Sequence, residues 1–240
     1  MQVVLNTMRI VEEVARSQPI GVGALARRLD LPKSTVFRAL RALSDAGWLR
    51  SRDDGPAAWE LGPKALTVSS RALSGSDLRS AVLPAMEDLR TETMETVHLA
   101  VLDGNQSVIV DRLDSPQVVR SSYPLGFRLP AHTASTGRAM LSHLSIDEVR
   151  SIIGADLVPT ASADRSALID ELAVIRANGY ACGSEESGSG IVSVAAAILD
   201  RWGRPAAAIS VSAPVQRLPP DDLSEVGELV SKTVRALVAP

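Results

Sequence analysis

Residues 20–43 read IGVGALARRLDLPKSTVFRALRAL, and this stretch decides the fold of the N-terminal part of the chain. Leu25 and Leu29 lie four residues apart, which predicts a first helix with one buried side. Residues 30–32 end that helix and begin another, because proline fits the first turn of a helix but not its interior. The second helix repeats buried positions at Val36, Leu40 and Leu43. The stretch therefore predicts a helix-turn-helix.

The second helix of this pair has a polar side opposite its buried stripe. Ser34, Arg38 and Arg41 fall together there, with Thr35 beside them and Lys33 at the start of the helix. Hydroxyls bind phosphates, and arginine reads guanine edges with two parallel hydrogen bonds. An ordinary solvated amphipathic helix shows the same pattern, so the pattern alone leaves both interpretations open. We predict that these five side chains contact double-stranded DNA.

A β-hairpin is predicted directly after this helix. A strand that ends at Arg52 and a second over 57–61 flank a turn at 53–56, as in the wing of a winged helix-turn-helix. We expect Trp48 and Trp59 to pack the hairpin onto the helices rather than to contact DNA. The two acidic residues in the turn weaken the charge there, so we do not expect the wing tip to bind phosphate strongly.

The charge distribution supports a nucleic-acid surface. Residues 24–52 contain seven basic and two acidic residues, a net charge of +5, whereas the whole chain has a formal net charge of −3. A basic patch on a mildly acidic protein is a localised footprint and not a generally adhesive surface.

The composition indicates a soluble intracellular protein of two domains. The chain has 240 residues, of which 45% are hydrophobic, enough for one small and one medium core. The single cysteine, Cys182, excludes an internal disulfide, suits a reducing cytoplasm and is expected to be a buried small residue. No apolar run approaches the roughly 20 residues of a membrane span, and the N-terminus lacks signal-peptide features. We expect a cytoplasmic protein with no membrane partner.

The periodicity predicts three regions: a DNA-binding domain over 1–62, a linker helix over 63–76 and a ligand-binding and oligomerisation domain over 77–240. A first helix over 3–16 places Val4, Met8, Val11 and Ala15 on the face predicted to pack beneath the helix-turn-helix. In the last region we predict helices at 77–93, 133–143, 145–153, 164–177 and 220–238, and strands or extended segments at 96–102, 107–113, 118–123, 179–183, 191–199 and 205–212. Hairpins with helices grouped around them indicate an antiparallel sheet in an α+β domain.

A candidate pocket is indicated by small hydroxylated residues near the predicted start of a helix at residues 128–141, RLPAHTASTGRAML. Ser193 shares a strand face with two alanines, and Ser210 and Ser212 share another with Ala208. Such faces leave room and hydrogen-bonding capacity for a small polar ligand. Helix capping and bonds to neighbouring backbone explain the same residues, so this alternative stays open. His132 beside the pocket is expected to be structural.

The residues give no good case for catalysis. The glycines at 21–23 follow a helix and not a strand, and the serine of 188–190 lacks the spacing of a nucleophile elbow. The acids at 185–186 are adjacent, and histidines and cysteine lack metal-ligand spacing. We therefore expect no catalytic residue, metal or cofactor. A small hydrolase fused to a DNA module and a protein-interaction module with a merely basic surface helix are the alternative functions.

The chain resembles the IclR family of bacterial transcriptional regulators over essentially its whole length. The resemblance rests on five stretches: LPKSTVFRAL (31–40), WELGP (59–63), ETVHLAVLDG (95–104), LPAHTASTGRA (129–139) and AISVSAP (208–214). It implies a winged helix-turn-helix followed by a GAF-like sensor domain. It further implies dimers or dimers of dimers on palindromic operators of catabolic or central metabolic genes, with small carboxylates or aromatic acids as effectors.

The resemblance also implies an effector site. Small residues before the glycine of the helix start correspond to Ser135 and Thr136, followed by Gly137. A cysteine and two serines of the late strands correspond to Ser193, Ser210 and Ser212. The family's acidic pocket residue corresponds to Gly183, its apolar lining corresponds to Val118 and Ser121, and its usual lysine after the glycine is Arg138. The missing acid, the serine in place of cysteine and the more polar wall indicate an effector other than a glyoxylate- or pyruvate-like molecule.

Overall fold

The computed structural model describes residues 1–52, 58–74, 78–121, 123–153, 165–183 and 190–237. The chain divides into two compact units, Met1–Ser76 and Asp77–Pro240. The predicted wing turn at 53–56, the acids at 185–186 and most of 188–190 lie outside the described residues. No helix within the described ranges is long and apolar enough to cross a lipid bilayer.

The first unit is a winged helix-turn-helix. Its elements are α1 (Gln2–Ser17), β1 (Ile20–Gly21), α2 (Val22–Leu29), α3 (Lys33–Asp45), β2 (Leu49–Arg52), β3 (Ala58–Leu61) and α4 (Pro63–Ser74). Asp30 ends α2 in the left-handed region at φ 53°, a conformation that aspartate tolerates better than most residues. The predicted hairpin is confirmed, and β1 adds a third strand on β3 that was too short to be seen in the sequence.

The predicted inner face of α1 is wrong at three of its four positions; only Val11 packs, partly buried, against the core. Ile10 and Val14 are buried against the helix-turn-helix core, whereas Val4 and Met8 are 65% and 51% exposed and Ala15 is also exposed. The buried side also includes Glu13, whose carboxylate accepts hydrogen bonds from Arg28 and Ser17. Because a charged residue occupies the inner face, the apolar pattern of the sequence pointed to the wrong side of the helix.

The second unit is a six-stranded antiparallel sheet covered by helices on both faces. The strand order is β6-β5-β4-β9-β8-β7. The elements are α5 (Leu78–Thr93), β4 (Thr96–Asp103), β5 (Gln106–Leu113), β6 (Arg128–Pro130), α6 (Ser135–Leu141), α7 (Ile146–Ile153), α8 (Arg165–Asn178), β7 (Ala181–Gly183), β8 (Ile191–Leu199), β9 (Pro205–Pro214) and α9 (Leu223–Arg235), the last preceded by a 3₁₀ turn. The predicted α+β class is confirmed.

The alternation of β4 separates the two layers of this unit. Val97 and Leu99 point to the core beneath α5 and α9, where Met86, Ile209 and Val230 are also buried. Residues of the opposite parity face the layer that contains α6, α7 and α8. Ser193, Ser210 and Ser212 were predicted to share strand faces with alanines. In the structure these residues form one face of small side chains, which is turned toward α6.

The predicted extended segment at 118–123 is wrong: the described part of it forms no strand, and the edge strand is instead β6. The carbonyl of Phe127 accepts the N–H of Ile109 at 2.9 Å, so the segment just before β6 already occupies the outer edge of β5. Thr96 Oγ1 donates to the carbonyl of Ser121 at 2.9 Å, which holds that residue in a loop beside the start of β4.

Candidate nucleic-acid interface and ligand cavity

Helix α3 presents its polar side to solvent. Val36 and Leu40 are fully buried, and Leu43 is nearly so. The opposite side carries all five residues predicted to contact DNA; four are exposed and Thr35 is half-buried: Lys33, Ser34, Thr35, Arg38 and Arg41. The fold therefore positions these side chains on the outward face of the second helix of the motif, where a recognition helix meets the major groove.

The basic side chains of α3 have no ion-pair partner among the described residues, whereas two other arginines of residues 24–52 are paired. Arg28 pairs with Glu13 at 2.7 Å, and Arg50 pairs with Glu60 at 2.7 Å. Among the described residues, Lys33, Arg38 and Arg41 form no ion pair. The basic surface is therefore narrower than the residue count implies, and it is centred on α3.

One residue on this surface was missed by the sequence analysis. Phe37 is 46% exposed although it is a large apolar residue in a helix with a buried stripe. Its place one residue after Val36 puts it outside that stripe, and this spacing was the available signal. Trp59 is buried and Trp48 partly buried in the core of the unit, so the prediction that they pack the hairpin is confirmed.

The second unit contains a cavity of about 140 Å³, called here the ligand cavity, between α6 and the inner face of β4, β8 and β9. Its lining residues are His98, Ile109, Tyr123, Leu129, Thr133, Ala134, Ser135, Thr136, Gly183, Ile191, Ser193, Ser210 and Ser212. The structure thus brings together most of the residues named from the family resemblance.

Three of the named residues lie outside this lining. Val118 is 93% exposed in the loop that replaces the predicted third strand. Ser121 is buried but contributes to the loop, and Gly137 faces the segment before α6. A Cβ on Gly137 would lie 2.2 Å from the carbonyl oxygen of Ala131, so glycine allows α6 to pack directly on that backbone.

Hydroxyl pairs join α6 to the sheet at the ligand cavity. Ser135 Oγ lies 2.8 Å from Ser193 Oγ on β8, and Thr136 Oγ1 lies 2.7 Å from Ser107 Oγ on β5. A Cβ on Gly183 would lie 2.6 Å from Ser193 Oγ and 3.2 Å from Ser135 Cβ. This serine pair therefore occupies the space that a side chain at position 183 would need.

His98 is a cavity residue that the sequence analysis did not identify. It lies opposite Ser210 in the sheet, is 1% exposed, and its Nδ1 lies 3.4 Å from Ser212 Oγ. Its Nε2 has no hydrogen-bond partner among the described residues. Burial, helped by the charge of Arg112, lowers its pKa to about 4, so the ring is neutral at physiological pH. The alternation of β4 between Val97 and Leu99 was the signal for this inward position.

Arg138 does not line the ligand cavity but connects the elements around it. Its Nη1 donates to Glu171 Oε1 at 2.6 Å and its Nη2 to the carbonyl of Cys182 at 2.6 Å, which ties α6 to α8 and β7. Cys182 was expected to be buried but is only partly buried, packed against a small apolar cluster, and this burial raises the pKa of its thiol. His132 is half-buried outside the cavity lining.

Two family models match the chain, one over each unit. Residues 3–53 match the IclR helix-turn-helix domain, and residues 70–239 match the domain described as bacterial transcriptional regulator IclR C-terminal. The chain belongs to the IclR family. Its IclR-family relatives include the acetate operon repressor of Salmonella typhimurium strain LT2, 33% identical, with 98% of this chain and 88% of the relative covered. The transcriptional repressor AllR of Escherichia coli K12 is 35% identical over 89% of this chain and 80% of its own length.

Solved IclR-family structures have the same fold. HmgR of Pseudomonas aeruginosa is 26% identical with a TM-score of 0.78, covering 98% of this chain and 97% of its own. The IclR protein of Thermotoga maritima has the same TM-score of 0.78 at 22% identity, covering 98% and 96%. As an IclR-family member the chain is a DNA-binding transcriptional regulator and not an enzyme.

Proposed function

We propose that this IclR-family protein is a ligand-responsive repressor of metabolic, chiefly catabolic, genes. In the proposal α3 enters the major groove of a palindromic operator, and Lys33, Ser34, Thr35, Arg38 and Arg41 contact DNA. The observation that carries the proposal is the outward face of α3, where three basic side chains have no ion-pair partner among the described residues. The names of its relatives, such as the acetate operon repressor, support repression of metabolic genes. Because its proposed operator is part of the chromosome, we place the protein in the cytoplasm.

We propose that the effector binds in the ligand cavity. An engineered apolar cavity of about 150 Å³ holds benzene, so the 140 Å³ here suits a molecule of about six heavy atoms. The lining supplies hydroxyls from Ser135, Thr136, Ser193, Ser210 and Ser212, and it contains no charged side chain among the described residues. A small carboxylate or related oxygenated acid fits this donor set.

His98 completes the proposed site. A buried nitrogen without a partner costs free energy, and a ligand oxygen or hydroxyl at Nε2 removes that cost. Because the ring is neutral, it acts as a hydrogen-bonding group and not as a counter-ion. The proposed contacts are therefore the five hydroxyls and this imidazole, with Gly183 leaving the room they need.

We propose that the operator is bound by a homodimer or a homotetramer. The N-terminal half of α1 and the residue before it expose a run of apolar side chains, Met1, Val3, Val4, Leu5 and Met8. An exposed apolar patch of this kind marks an interaction surface, and a second copy covers it in a symmetric dimer. Such a dimer presents two α3 helices to the two half-sites of a palindrome.

The proposed mechanism is linkage between the two sites. An effector shifts DNA affinity only by its difference in affinity for the two arrangements of the dimer, typically about 1–3 kcal/mol. Fluorescence anisotropy of the gene's own upstream DNA, with and without a panel of small oxo- and hydroxy-acids, tests this. We expect at least one acid to change the affinity of wild type and to lose that effect in S193V. A panel that changes affinity equally in both proteins would contradict the proposed site.

A further inference from the structure

A second cavity, of about 300 Å³, lies elsewhere in the same unit and has no role in the proposed function. It lies where the C-terminal ends of α8 and α9 meet β8, and it shares no lining residue with the ligand cavity. Ala196, Ala197 and Leu199 of β8 form its apolar wall together with Val234 and Leu237. It is therefore a partly open cavity, separate from the ligand cavity.

The cavity adjoins an open strand edge. β7 pairs with β8 only at Ser193, Val194 and Ala195. Beyond Ala195, no described strand other than β9 pairs with β8. The outer edge of β8 beside Ala196 and Ala197, which line the cavity, thus has no strand partner among the described residues.

Two arginines without ion-pair partners line the same cavity. Arg176 lies in the last turn of α8 and Arg235 in the last turn of α9, and neither forms an ion pair with any described residue. A Cβ on Gly179 would lie 2.6 Å from Arg235 Nη2 and also 2.6 Å from Ser231 Oγ. Both polar atoms therefore lie close to the same glycine, whose φ is +83°.

Ser231 is the third polar group of this cluster. It is 3% exposed, and its Oγ has no hydrogen-bond partner among the described residues. Buried hydroxyls are normally satisfied, so an unpartnered one near Arg235, in a cavity that Arg176 also lines, indicates room for an acceptor. A carboxylate or phosphate oxygen accepts from all of these donors, and guanidinium binds such groups bidentately.

One carboxylate lines the cavity, that of Asp200, and its negative charge disfavours the binding of an anion. Its Oδ1 already accepts the N–H groups of Trp202 at 2.8 Å and Arg204 at 2.9 Å, so the local turn uses part of its charge. The remaining ionisable lining group is His143. Burial, followed by the charge of Arg176, lowers its pKa, so it adds little positive charge at neutral pH. Two arginines against one aspartate leave the lining cationic.

We propose that the second cavity binds a small oxyanion, a carboxylate or phosphate, held by Arg176, Arg235 and the hydroxyl of Ser231. The apolar wall accommodates the body of an organic acid, which distinguishes a carboxylate ligand from bare phosphate. The competing explanation is that each arginine only complements the negative C-terminal end of its own helix. That explanation predicts an effect on stability but no anion binding.

Calorimetric titration of the full chain with inorganic phosphate and with benzoate, at constant ionic strength, tests the proposal. Histidine NMR then locates the site, because the chain has three histidines, one in each cavity and one outside both. We expect the His143 signals to shift with saturation by at least one of the two anions, and its pKa to rise beside the added negative charge. Benzoate binding tighter than phosphate assigns an organic acid, and the reverse order assigns phosphate.

The variants R176Q and R235Q are expected to weaken that binding about tenfold or more, because each removes a charge-assisted contact. S231A tests the hydroxyl without changing charge and is expected to weaken binding by a smaller factor. R150Q is the matched control, since Arg150 also lies in the last turn of a helix, α7, but outside the cavity. Circular dichroism verifies folding of each variant. Absence of binding by both anions, shifts at His98 instead of His143, or wild-type affinity in both arginine variants and S231A would overturn the proposal.

Discussion

Ser135 Oγ lies 2.8 Å from Ser193 Oγ, and this contact joins the first turn of α6 to β8 at the ligand cavity. The contact depends on Gly183, because a Cβ there would lie 2.6 Å from the same Ser193 oxygen. In this chain, a serine pair therefore takes the space that an acidic side chain at position 183 would need.

Gly183→Ala is expected to destabilise the protein by about 1–3 kcal/mol, because it forces Ser193 out of its place. Urea unfolding of wild type, G183A, S193A and the double variant measures this as a cycle. Removal of the Ser193 hydroxyl makes room for the new methyl group, so G183A should cost less in the S193A background. Equal costs in both backgrounds would show that Ser193 does not limit the space.

His98 should make stability depend on pH between about 6.5 and about 4. Burial lowers its pKa to about 4 in the folded protein, from an ordinary value of 6.5. As pH falls through this window the unfolded chain takes up a proton that the folded chain does not, so the folded state loses up to about 3 kcal/mol.

The measurement is the free energy of unfolding at pH 7 and at pH 4.5 for wild type and for His98→Gln, which does not titrate. The difference between the two proteins isolates His98 from the carboxylates that also titrate near the lower pH. We expect wild type to lose more stability than H98Q over this interval. Parallel losses would mean that the ring titrates normally in the folded state.

Met8→Glu is expected to weaken self-association, because it places a charge in the exposed apolar part of α1. Sedimentation velocity of the wild type and the variant measures the oligomeric state. Val174→Glu is the control, since Val174 is also an exposed apolar residue, on α8. If M8E assembles like wild type while V174E does not, the dimer surface lies on the other unit.

Phe37→Ala is expected to weaken operator binding without loss of folding stability. The ring is half-exposed beside the basic residues of α3 and can contact thymine methyl groups in the major groove. Anisotropy titrations of operator and unrelated DNA should show a larger loss for the operator. An equal loss of affinity for both DNA sequences would contradict a contact of Phe37 with specific bases.

Strong local patterns allowed much of the fold to be predicted. The helix-turn-helix was predictable because Val36, Leu40 and Leu43 repeat at helical spacing next to a proline break. The face of α1 was not, because an ion pair rather than an apolar residue occupies part of its inner side at Glu13. The placement of Val118 also depended on long-range contacts, since Phe127 and β6 occupy the edge of β5 that the earlier segment was expected to fill.

In the candidate sites, too, residues in local patterns could be predicted and residues that depend on long-range contacts could not. The hydroxyls of the ligand cavity were accessible from strand alternation and the family resemblance. His98 was missed because the alternation of β4 gives only the side of the sheet that the ring faces, whereas the pairing of β4 with β9 places it against Ser210 at the cavity. The cluster of Arg176, Arg235 and Ser231 comes from two helices distant in sequence, so no local motif marks it.

The most direct test of the central claim is a titration of the wild type, R38A and the control R150A against the gene's own upstream DNA and against unrelated DNA. For wild type we expect selective binding that weakens about a thousandfold or more between about 50 mM and about 200 mM salt if six or more phosphates are neutralised. R38A should lose about 1–3 kcal/mol of operator affinity, and R150A should match the wild type. Unchanged operator affinity in R38A, or binding that is insensitive to salt, would contradict recognition of DNA through α3.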